Sequence, residues 1–107
     1  MAASPTIFPG NKMYMHMFLF RLKPGVTEDQ QARMLREIRA LEKQIPGILE
    51  TVVGKNESPR GQGYAIGGAM KFRDKAAMEA YNVHPVHQEL LGWLVPLIDA
   101  VEVDFPV

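Results

Sequence analysis

The sequence holds no cysteine, which excludes disulfides, thiolate nucleophiles and cysteine-ligated metal and fits a reducing compartment. An excess of either charge is also missing: twelve basic residues face twelve acidic ones. No basic run suggests a phosphate backbone or an anionic membrane as a partner, so no nucleic acid and no membrane are expected. No window approaches the ~18 apolar residues of a spanning helix. The first twelve residues lack the basic start and apolar stretch of a signal peptide. These absences predict a cytoplasmic domain. With 107 residues the chain makes one domain, and folding at this size buries somewhat over ~60% of the unfolded surface. Its stability is modest unless a partner adds burial.

Histidine is scarce too, with three in the chain. Two of them, His84 and His87, stand with Tyr81 in the run Tyr81-Asn82-Val83-His84-Pro85-Val86-His87, which gathers most of the near-neutral proton chemistry available. The third, His16, lies in the most apolar strand candidate, where a lone imidazole must find a partner or a cavity.

Residues 1–12 carry two prolines and a glycine and read as a flexible arm, or a strap over a neighbour, ahead of a domain at 13–107. From Met13 to Leu22 both alternating faces are apolar: Tyr14, Phe18, Phe20 and Leu22 fall with His16, while Met13, Met15, Met17 and Leu19 fall opposite. Such a strand needs cover on both sides. Helices can supply one cover, and in so short a chain a second copy of the same sheet supplies the other.

Thr27-Glu28-Asp29-Gln30 is a capping-box pattern. The helix it opens has apolar positions Met34, Leu35, Ile38, Leu41 and Ile45 at helical spacing and stops at Pro46-Gly47. Its charges at Arg33, Arg36, Glu37, Arg39 and Lys43 read as a solvated face. Strands are predicted at 48–53 and 64–72, joined by the turn-rich 56–63. Gly67 and Gly68, inside the third strand, mark a bulge or a close approach to the backbone. Asp74 caps a helix that breaks at His84, and Pro85 starts another that carries His87, Leu91 and Leu94 on one stripe. Residues 98–105 form a last strand, with Val101, Val103 and Phe105 on one face and Ala100, Glu102 and Asp104 on the other. The order predicts an α+β domain: a ferredoxin-like four-stranded antiparallel sheet with helices on one face.

Several segments together carry a family resemblance: Met15 through Pro24, Ile45-Pro46-Gly47-Ile48, Val53-Gly54-Lys55-Asn56, the tyrosine-to-histidine run 81–87 and Val103-Asp104-Phe105. In these the chain resembles the stress-responsive A/B barrel (Dabb) family over residues 13–105. The resemblance implies a dimeric α+β barrel, a homodimer in which two sheets join face to face. That family includes polyketide cyclases similar to olivetolic acid cyclase, in which a strand histidine, a helix tyrosine and the last histidine of the run line the pocket. By residue type those positions are His16, Tyr81 and His87 here, with His84 as a neighbour.

Placement supports a chemistry for them. In the first turn of the Pro85 helix, the helix dipole disfavours charge on His87 and keeps its imidazole neutral. A neutral imidazole can remove an acidic α-proton, with Tyr81 donating to the enolate oxygen and His16 as orienter or second donor. Phe18, Phe20, Leu91 and Leu94 supply apolar walls for a small apolar or aromatic ligand, and Gly67 and Gly68 leave room. The reaction class is a cofactor-free cyclase or lyase step on a polyketide-like or aromatic carbonyl compound. The alternative is a non-catalytic small-molecule-binding or stability-related protein, in which the histidines satisfy backbone groups or one another. No metal is expected, because a proline splits His84 from His87 and no carboxylate joins them at ligand spacing. The methionines read as soft packing at the dimer.

Overall fold

Every second residue of the first strand, β1 (Tyr14–Leu22), points at the helices, and this alternation sets the plan of the molecule. A computed structural model describes residues 12–107, so the expected arm at 1–12 lies, but for Lys12, outside the described residues. After β1 come α1 (Glu28–Gln44), β2 (Ile48–Lys55), β3 (Tyr64–Phe72), α2 (Lys75–Val83), α3 (Pro85–Leu94), a 3-10 turn at Val95–Leu97 and β4 (Ile98–Pro106). The sheet runs β2-β3-β1-β4 with every neighbour antiparallel. This is the ferredoxin-like α+β arrangement, with all three helices on one face.

Local signals explain where the elements start and stop. The Thr27 hydroxyl accepts from the Gln30 amide at 3.1 Å, and the Gln30 side chain accepts from the Thr27 amide at 2.8 Å, so α1 opens on a complete capping box. Gly47, at φ +91°, makes the left-handed turn out of α1 that an L side chain resists. Asp74 Oδ1 accepts from the Ala77 amide at 2.8 Å and opens α2.

The core lies between the sheet and the helices. Phe18, Phe20, Ile66, Met70 and Phe72 from the sheet meet Met34, Ile38 and Leu41 of α1, Met78 and Tyr81 of α2, and Leu90 and Leu94 of α3. Each large apolar side chain sealed there contributes roughly 1.5–3 kcal/mol. The outer face of the same sheet carries Met17 and Leu19 at 43% and 44% exposure, with Val52, Val101 and Val103 also exposed. Register makes these one patch, since Met17 opposes Ala69 and Val103 while Leu19 opposes Gly67 and Val101.

Two expectations change on inspection. The ladder runs straight through Gly67 and Gly68, and its shifts fall at Phe20/Arg21 and Ile48/Glu50. Gly68 is a close approach: a Cβ there would overlap the Phe18 ring. The room it leaves is therefore filled by Phe18 and is not pocket space. Nor is the charged face of α1 simply solvated. Arg33 pairs with Glu37 at 2.7 Å and lies 3.9 Å over the Trp93 ring, tying α1 to α3. Arg39 Nη2 donates to the Val53 carbonyl at 2.9 Å, and Glu42 Oε1 accepts from the Thr51 amide at 2.6 Å. Both bonds reach outward-facing backbone groups of the edge strand β2.

Candidate functional site

Between the sheet and helices α2 and α3 lies a cavity of about 80 Å³. His16, Phe18 and Phe20 reach it from β1, Tyr81 from α2, and His87, Leu91 and Leu94 from α3. Seven of the residues singled out from the sequence thus meet at one place, although they span more than half the chain. The exception is His84. It is not among the cavity's lining residues, and its Nδ1 accepts the Val86 amide at 3.1 Å, so the ring caps α3.

The helix break at His84-Pro85 aims His87. Pro85 and Val86 take the first two positions of α3, so the ring of the third turns back toward the sheet beside Tyr81. The two rings stack with centroids 4.0 Å apart and an interplanar angle of 27°. His87 Nδ1 lies 3.3 Å from the Asn82 carbonyl. A carbonyl oxygen only accepts, so Nδ1 carries the hydrogen and Nε2 is left with its lone pair. Burial pushes the His87 ring below its usual titration range, against the opposing pull of the Asn82 carbonyl. The Tyr81 phenol is pushed well above its range, by burial first and then by the charges of Glu102 and Asp104. Near neutral pH the site therefore holds an uncharged imidazole beside a protonated phenol.

His16 has a different environment. Its Nδ1 lies 2.6 Å from Asp104 Oδ1, and its Nε2 lies 3.7 Å from Glu102 Oε1. The carboxylate at Asp104 accepts from Nδ1–H, which fixes ring orientation and tautomer. The partner of His16 is thus a β4 carboxylate and not Tyr81 or His87, although the Tyr81 ring centroid stands 6.1 Å away. Neither Asp104 nor Glu102 was among the residues picked from the sequence. A signal for them existed: an imidazole buried on a strand requires a partner, and the last strand carries Glu102 and Asp104 two apart on one face. Periodicity left open which face of β4 meets the helices. Antiparallel register decides it by setting Asp104 opposite His16 and Glu102 opposite Phe18.

A larger hollow of about 480 Å³ lies at the other end of the sheet, lined by Leu19, Gly54, Lys55, Arg60, Tyr64 and Gly67 among others. It brings together no imidazole and no carboxylate, so it offers no comparable acid-base chemistry. Among the described residues no cluster of three or more potential metal ligands occurs, and no helix is long and apolar enough to cross a membrane.

Comparison with known proteins places the fold. A family model described as the stress responsive A/B barrel domain matches residues 15–107. No curated protein matches the chain by sequence. Solved structures do match by shape. A Dabb family protein with a ferredoxin-like fold from Mesorhizobium loti is 28% identical, with a TM-score of 0.76 over 90% of this chain and 97% of that one. A protein of unknown function from a Jannaschia species, described as dimeric and ferredoxin-like, is 28% identical with a TM-score of 0.77 over 89% and 99%. The hydroxynitrile lyase of Passiflora edulis has a TM-score of 0.83 over 91% and 94%. At 17% identity that likeness concerns the fold.

Proposed function

We propose, from the premise that this chain belongs to the stress responsive A/B barrel domain family, that the cavity between sheet and helices is a small-molecule site where His87 acts as a cofactor-free general base. The observation that carries this reading is the state of His87: buried, bonded through Nδ1 to the Asn82 carbonyl, and lining the cavity with Nε2 unprotonated. In the proposed step, Nε2 takes the α-proton of a carbonyl compound. The electron pair of the broken C–H bond moves into the enolate, whose oxygen receives a hydrogen bond from the Tyr81 hydroxyl. The enolate carbon then attacks a second carbonyl of the same polyketide-like or aromatic substrate. The imidazolium returns its proton to the alkoxide so formed. His16, its ring fixed by Nδ1–H donation to Asp104, is the orienter. A lyase step runs the same bond changes in reverse, and a lyase exists on a similar fold in Passiflora edulis.

The domain is proposed to act as a homodimer paired through the outer sheet face, as the apolar patch around Met17 and Leu19 requires cover and a similar solved protein is described as dimeric.

A generic reporter tests the chemistry without knowledge of the substrate. Acetophenone incubated with the protein in deuterium oxide should exchange its methyl protons faster than in buffer, and His87→Ala should abolish the acceleration. No acceleration by the intact protein would remove the base. A second reading, a binding protein without turnover, is favoured by the stacking of Tyr81 on His87, which fixes both rings in a small space. Binding of acetophenone without exchange would select it.

A further inference from the structure

The cavity has a charge sign, and a single residue at its mouth carries most of that sign. Because β4 is an edge strand, the helices leave its margin open: Ala100, Glu102 and Asp104 are exposed although they lie on the helix side. Ala100 and Glu102 line the cavity together with Val95, itself exposed, so the opening lies between β4 and the end of α3. No lysine or arginine is among the lining residues. The Glu102 side chain is 60% exposed, and its ion-pair neighbour among the described residues is His16 Nε2, at 3.7 Å. That separation is beyond hydrogen-bond length, which leaves the carboxylate oxygens available to an incoming molecule. The bookkeeping of charge gives one sign in every case. Asp104 and Glu102 bring two negative charges to His16, which brings at most one positive charge, and His87 is neutral.

We propose that Glu102 selects the ligand: the cavity takes neutral or cationic carbonyl compounds that can place a hydroxyl or ammonium group at the mouth, and it rejects carboxylates. This rests on the reading of the cavity as a small-molecule site and narrows its substrate class. Glu102 holds no part of the proton transfer, so it acts as a specificity-determining residue. An ionised group seated at the mouth stands a few ångströms from the Glu102 oxygens. At the intermediate screening of a half-open site, attraction or repulsion there changes affinity by about tenfold.

Three probes that share one ketone test it: acetophenone, 4-acetylbenzoate and 4-(aminomethyl)acetophenone, titrated near neutral pH at low salt and followed by the imidazole NMR signals of His16 and His87. The intact protein should bind the ammonium compound tightest and the carboxylate weakest, each about tenfold from the parent ketone. Glu102→Gln should shrink both gaps several-fold, and Glu102→Lys should invert the order. Equal affinity of the intact protein for 4-acetylbenzoate and acetophenone, or an unchanged ratio in both variants, would overturn the selection while leaving the cavity a binding site. Failure of all three probes to move either imidazole signal would overturn the small-molecule reading itself and the selection with it.

Discussion

The two faces of the sheet are made from the same strands and do opposite things. On the helix side, His16, Phe18 and Phe20 alternate into a buried layer that also lines the cavity. On the outer side, Met17 and Leu19, their immediate neighbours in sequence, stand in the open with Val101 and Val103 beside them. Hydrophobicity does not distinguish the two sets. What differs is that the inner face has found its partner within the chain, while the outer face has the composition of a core with no helix to cover it. Parity alone thus commits each strand residue to the covered face or to the open one.

The contrast is broken most directly by truncation on the inner side. Phe72 is fully buried, and Phe72→Ala should cost roughly 3–5 kcal/mol, a large part of the ~5–15 kcal/mol typical of a domain. Urea denaturation measures the loss, and a cost below about 1 kcal/mol would mean the inner layer is not the core described. Next in size is Gly68→Ala, which forces a methyl group into the Phe18 ring and should cost about 1–3 kcal/mol. Combining it with Phe18→Leu should recover part of that loss, whereas simple additivity would show that the two do not meet. Acid sharpens the contrast further. Burial lowers the folded-state titration of His87, so its stabilising contribution is complete above the unfolded value of about 6.5 and is lost as pH falls from there toward the folded value. His87→Gln should flatten that part of the stability profile, and an unchanged slope would assign it to another group. The smallest effect on the fold belongs to the outer face. Leu19→Asp should leave secondary structure intact, yet the protein should sediment near the 12.0 kDa of one chain rather than twice that mass. A dimer persisting at low micromolar concentration would place the interface elsewhere.

Much of this organisation was legible in the sequence because it depends on short-range rules. Thr27 with Gln30, Asp74 before Ala77, and Pro85 after His84 each act within a few residues, and the structure uses them as local chemistry predicts. The alternation of β1 was equally plain. Less legible was anything decided by register. His16 finds Asp104 across 88 positions because β4 lies antiparallel to β1 on one particular alignment, and no local pattern sets that alignment. Arg39 looks like a solvent charge by helical spacing, but its long side chain, like that of Glu42, reaches past the core to the backbone of β2. Gly68 announced a bulge or a close approach without saying which, or that the approaching body was the chain's own Phe18.

Those two reaches from α1 have a consequence for how the molecule behaves in a crowd. An open sheet margin is a template on which a foreign strand can add by backbone pairing, the first event in filament growth. At Thr51 and Val53 the outward amide and carbonyl are already engaged by Glu42 and Arg39, so a stray segment docking there would have to displace charged side chains to use those two groups. The helix that completes the core also acts as a guard rail along that border.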